Sequence, residues 1–131
     1  MVPGRHSFEM YKYQSLDAWK RAHAAALLAH RSTNSGFHPR SRSLFDQLKR
    51  AAVSVEANIV EGYALGTPAL CRRHLRIALG SAAEAESLAR LAGELGYLPT
   101  GVVKDLEMLL GNSMRALHGL MRSPPVVATH T

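Results

Sequence analysis

Basic side chains are the most numerous candidates for chemistry in this chain of 131 residues, where 16 Lys and Arg stand against 10 Asp and Glu for a net charge of +6. Lys20, Arg21 and Arg31 fall in one segment, Arg40 and Arg42 in the next, followed by Lys49 and Arg50 and then by Arg72, Arg73 and Arg76. Brought together, these could join into a stripe that holds a polyanion, with an affinity that falls steeply as salt rises. A solvated charged face is the competing reading. The excess is uneven: residues 1–50 carry nine basic and three acidic groups, residues 51–76 three and two, and residues 77–131 four and five. A positive field concentrated in the first half suggests nucleic acid as partner. Aromatic residues make up only 6% of the chain, with Tyr11, Tyr13 and Trp19 near one end. Contact with phosphate backbone and shape is therefore expected rather than base reading, and RNA is the expected nucleic acid.

Other chemistries find less support. There are seven His, with His23 and His30 seven apart and His74 and His118 in other segments. No Glu-x-x-His pair of the kind that builds a di-iron bundle is present, and no His-Glu-x-x-His zinc motif. No metal and no cofactor is expected. The single Cys, Cys71, stands beside Arg72 and Arg73 near a helix start, where cations and the helix N-terminus would lower a thiol pKa. Nothing nearby in sequence supplies a general base. With no Gly-rich phosphate loop and no Gly-x-Ser-x-Gly elbow either, the chain is expected not to be an enzyme, and a catalytic Glu61 is disfavoured.

The elements that must position these groups read as helices. Ala, Leu, Arg and Glu dominate, β-branched residues are sparse, and 47% of residues are apolar, which excludes a disordered chain. No apolar run approaches the roughly 18 residues of a membrane span. No secretory signal is legible in residues 1–10, so a cytoplasmic location is expected, in keeping with one unpaired Cys. The first helix is expected from Ser15 as N-cap to about Ser32, with Leu16, Trp19, His23, Ala26 and Leu27 on its core face and Ala18, Ala22, Ala25 and Ala29 beside them. Gly36 and Pro39 interrupt it. A second helix runs from Ser41 or Ser43 to about Ala64 on Leu44, Leu48, Ala51, Ala52, Val55 and Ile59, loosened at its end by Gly62 and Gly66. Thr67-Pro68 opens the third, whose expected core face is Leu70, Ile77, Ala78, Ala85, Leu88, Ala92 and Leu95, ending near Gly96. Pro99 and Thr100 start the fourth, on Val103, Leu106, Leu110, Leu117 and Leu120, to about Met121.

Four helices with short turns predict an all-α, antiparallel up-down-up-down four-helix bundle over residues 14–122, with an N-terminal arm over 1–13 and a disordered tail over 123–131. Leu75, Leu79, Ala82 and Ala89, with Val102 and Leu109, form a second apolar stripe. A subunit contact would cover it, which predicts a homo-oligomer; a wide core stripe is the alternative. Gln47, Arg50, Ser54, Asn58 and Glu61 recur every three or four residues as a polar stripe, expected to hydrogen-bond across helices. Arg50 and Glu61 lie too far apart to pair, so each is expected to find an opposite charge elsewhere. Gly80-Ser81 sits mid-helix, where a glycine costs roughly 1 kcal/mol relative to alanine and implies close helix approach.

The stretch Gln47-Leu-Lys-Arg-Ala-Ala-Val-Ser-Val-Glu-Ala-Asn-Ile-Val-Glu-Gly62 resembles the signature of the four-helix-bundle family named after proteins encoded in 23S rRNA intervening sequences. Tyr13-Gln-Ser-Leu-Asp-Ala-Trp19 with Ala22 is similar to its first helix, and Ile77-Ala-Leu-Gly-Ser-Ala-Ala-Glu-Ala-Glu86 with Leu95-Gly-Tyr-Leu98 to its third. The resemblance covers about residues 8–120. It implies a bundle that assembles as a homopentameric barrel, with relatives serving as accessory proteins of diversity-generating retroelements that bind nucleic acid and a reverse transcriptase through a basic surface. An assembly scaffold for such a protein partner is the alternative function. Glu56 departs from the family pattern, which often has proline there, and its presence predicts a less kinked second helix.

Overall fold

The computed structural model describes residues 12–34, 39–64 and 67–122. Most of the predicted arm, the predicted tail, Tyr11, Gly36 and Gly66 lie outside them. A 3-10 turn, Lys12–Ser15, leads into α1 (Asp17–Asn34), α2 (Arg42–Ala64), α3 (Pro68–Glu94) and α4 (Thr100–Arg122), with no strand among the described residues. Helix α1 begins after the predicted Ser15 because the 3-10 turn occupies that position, closed by Leu16 N–H donating to the Tyr13 carbonyl at 3.0 Å.

The ends of α3 follow from single residues. Thr67 is in extended backbone and its hydroxyl accepts from Leu70 N–H at 3.2 Å, while Pro68 occupies a first-turn position whose missing donor costs nothing. At the other end Gly96 takes φ +77°. Tyr97 N–H then reaches back to the Ala92 carbonyl at 2.8 Å and Gly96 N–H to that of Gly93 at 3.0 Å, a Schellman closure.

Contacts between helices set the topology. Going up α2, Ser54 meets Ser81, Asn58 meets His74 and Gly62 meets Cys71, so partner numbers fall as α2 numbers rise. Arg90 with Glu107 and Gly93 with Val103 repeat this between α3 and α4. These pairs run antiparallel, and His23 with Glu56 joins α1 to α2 in the register their short connection requires. Ser113 Oγ donates to the Ala18 carbonyl at 2.9 Å, closing α4 onto α1. The result is a four-helix bundle in which α1 and α3 stand on one diagonal and α2 and α4 on the other.

The core departs from the predicted faces in a systematic way. Helix α1 buries Ala18, Ala22, Ala25, Ala26 and Ala29, leaving Leu27 exposed and Trp19 and Leu16 at the margin. In α3 the stripe read as surplus is the core: Leu75, Ala82 and Ala89 are fully buried with Cys71, Ala78, Ala85 and Ala92. Leu70, Ile77 and Leu95, read as core, are exposed. The reason is a match of sizes across the bundle. The α1 and α3 diagonal presents mostly alanines, with Leu75 and Cys71 of α3 among them, so it admits Phe45, Leu48, Val55 and Ile59 of α2 and Leu106, Leu110 and Leu117 of α4. Larger side chains in place of these alanines would overfill that space.

Candidate functional site

The signature segment builds a polar seam where α2 crosses α3. Asn58 Nδ2 donates to the Ser54 carbonyl at 2.8 Å and to Ser54 Oγ at 3.1 Å. Ser54 Oγ shares a 2.9 Å hydrogen bond with Ser81 Oγ across the helices. With its amide nitrogen so committed, Asn58 turns Oδ1 toward His74 Nδ1 at 3.0 Å, which fixes the His74 tautomer as the one carrying its proton on Nδ1. Glu61 Oε1 lies 3.5 Å from the same nitrogen. The expected cross-helix bonding of the polar stripe is therefore present. Its central partner, His74, was missed, although it stands seven residues before Ser81, on the same side of α3.

Other members of the signature fare differently. Gln47 and Arg50 are exposed, and Arg50 has no ion-pair partner among the described residues, against expectation. Gly62 does not loosen α2: it is buried, and a Cβ there would stand 3.3 Å from the Cys71 carbonyl oxygen. Gly80 is exposed with nothing within 4 Å of an added Cβ, so the predicted close approach is absent there. The approach occurs instead at Gly62 and at Gly93, where an added Cβ would meet Val103 Cγ2 at 2.7 Å.

Cys71 also corrects its prediction. Burial pushes the thiol up from its ordinary value of 9.0, outweighing the lowering effects of Arg72 and of the Tyr63 hydroxyl. The same burial, then the neighbouring Cys71, pushes the Tyr63 phenol above its ordinary value of 10.0. Cys71 is fully buried, so it lacks both the exposure and the thiolate character of a nucleophile.

A second cluster lies between α1 and α2. His23 Nδ1 donates to Glu56 at 3.0 Å, and its ring stacks on Trp19 with centroids 4.7 Å apart. Tyr13 meets Trp19 edge-on at 5.6 Å. Glu56, in place of the proline frequent in the family pattern, thus sits in an uninterrupted helix and bridges to α1. Spacing Trp19 and His23 by four residues was the available signal.

The basic residues gather toward both ends of the bundle rather than along one continuous stripe. Arg31 near the end of α1, Arg40 and Arg42 at the head of α2, and Lys49 and Arg50 a few turns on belong to one end. Lys20 and Arg21 in the first turns of α1, with Arg72, Arg73 and Arg76 in the first turns of α3, belong to the other. All are exposed except Lys49, which is half-buried and lies 3.8 Å from Asp46. Lys20, Arg21, Arg31, Arg42, Arg50, Arg72, Arg73 and Arg76 form no ion pair among the described residues.

Apolar surface is left open beside the seam. Leu70, Ile77, Leu91 and Leu95 form a column along α3 and are between 37% and 52% exposed. No helix among the described residues is long and apolar enough to cross a membrane. A comparison with curated proteins finds no match. The profile of the 23S rRNA-intervening sequence proteins matches residues 14–119, which include the seam, both cationic groups, the first three helices and most of α4. With that match over most of its length, the chain belongs to the family of 23S rRNA-intervening sequence proteins.

Proposed function

We propose that this chain is a non-catalytic, homo-oligomeric helical-bundle protein that binds RNA through its exposed cations and works in the cytoplasm. The supporting observation is the set of Arg and Lys side chains at both ends that lack acidic partners within the described residues. Holding like charges unpaired in each group raises the energy of the free protein, and phosphate groups relieve that repulsion. Self-association, in a pentamer by family resemblance, repeats both groups around a ring and strengthens the field. The Leu70–Leu95 column supplies apolar surface suited to such a contact.

A gel-shift titration of labelled RNA tests the reading. The complex should form at low salt and weaken in proportion to the logarithm of salt concentration, and replacing Arg72, Arg73 and Arg76 by Gln should flatten that dependence by about one unit of slope per lost phosphate contact. The exposed column also favours a second reading, an adaptor for a protein partner such as a reverse transcriptase. Absence of any RNA shift at low salt, together with recovery of a protein partner lost on Leu91→Lys, would establish that reading instead.

A further inference from the structure

We propose that the depression at the head of α2 is a site for a phosphate monoester, the dianionic end of a nucleic-acid strand rather than its diester backbone. The inference rests on the RNA-binding reading for the origin of the ligand, but the site has its own grounds. Arg40, Arg42 and Arg50 line a concavity of about 420 Å³ together with Pro39, Ser43 and Asp46. Arginines from the turn before α2, from its first residue and from two turns further along thus border one volume.

Charge selects the ligand. Asp46, the one carboxylate among the described lining residues, also has Lys49 at 3.8 Å, so Arg42 and Arg50, which form no ion pair among the described residues, leave an excess of positive charge. The first turn of α2 carries no acidic residue. Arg42 therefore stands at the positive end of the helix dipole, an unfavourable placement in the free protein that a bound anion reverses. A diester contributes one negative charge, whereas a terminal monoester contributes close to two and three oxygen acceptors. Planar guanidinium forks converging on such a group make paired, charge-assisted hydrogen bonds. The group at the opposite end differs in construction: Arg72, Arg73 and Arg76 follow one another along the exposed surface of a single helix, α3.

Fluorescence anisotropy with one RNA oligonucleotide, prepared with a 5′-phosphate and with a 5′-hydroxyl, tests the site. The phosphorylated strand should bind about tenfold more tightly to the wild type, as an additional charge-assisted contact implies. Arg42→Gln with Arg50→Gln should abolish that ratio, while Arg73→Gln should weaken both strands and keep it. Inorganic phosphate at constant ionic strength should raise the melting temperature of the wild type and not of the Arg42→Gln, Arg50→Gln variant. Equal binding of the two strands to the wild type would overturn the site and leave general RNA binding standing. A phosphate-dependent rise that disappears in the variant, with no binding of either strand, would uphold an anion site and overturn its assignment to RNA ends.

Discussion

Asn58 shows how one side chain couples two helices. Every polar atom of its amide is engaged: the nitrogen by Ser54 and the oxygen by His74. Leaving such a group unmet in a half-buried seam costs about 1–3 kcal/mol, so its partners act as a register pin between α2 and α3. Cys71 and Tyr63 carry the pH dependence at this scale. Both are raised by burial, so below pH 9.0 folded and unfolded chains are alike in holding these protons. Above 9.0 for the thiol and 10.0 for the phenol, the unfolded chain ionises while the fold retains the proton. Stability must then fall as pH rises. Urea unfolding between pH 8 and pH 11 should show a decline that is shallower in Cys71→Ser and in Tyr63→Phe; identical slopes in all three proteins would refute the assignment.

Within the helices, glycine separates surface from contact. Gly80 lies on exposed α3 with open space around it, so Gly80→Ala should stabilise the protein by about 1 kcal/mol, the difference in helix propensity. Gly93→Ala places a Cβ 2.7 Å from Val103 Cγ2, and a β-branched side chain held in a helix has little freedom to move aside. That substitution should destabilise by roughly 1–3 kcal/mol, as overpacking does. Thermal melts of the two variants must shift in opposite directions for this account to hold. Both glycines occupy helical positions and look alike in the sequence, because neither reveals what faces it from the next helix.

For the molecule as a whole, the proposed assembly turns on the α3 column. Leu70, Ile77 and Leu91 lie at multiples of seven residues, the spacing of a continuous helix seam, and Leu95 extends it by one turn. These side chains are not required by the bundle's own core. Ile77→Lys with Leu91→Lys should therefore preserve helical circular dichroism while light scattering falls from an oligomer mass to that of one chain. A wild-type protein that already scatters as a monomer would contradict the proposed assembly. In the proposed assembly, cations of neighbouring copies would share one field, so the variant should also lose RNA affinity.

Helix number, order and approximate ends were legible in the chain because they depend on neighbours in sequence: Thr67-Pro68 starts α3 and Gly96 stops it by local hydrogen bonds alone. The polar stripe of α2 was legible for the same reason, since residues three and four apart share a face. Which of two adjacent apolar stripes faces inward was not. Hydrophobicity favours burying Leu70, Ile77 and Leu95, yet the bundle buries mostly alanines on α1 and α3, with Leu75 and Cys71, because large side chains from α2 and α4 fill much of the interior. That choice is made by volumes contributed from four helices at once. The identity of His74 as the partner of Asn58 and the division of the cations between two ends likewise depend on how the helices stand against one another.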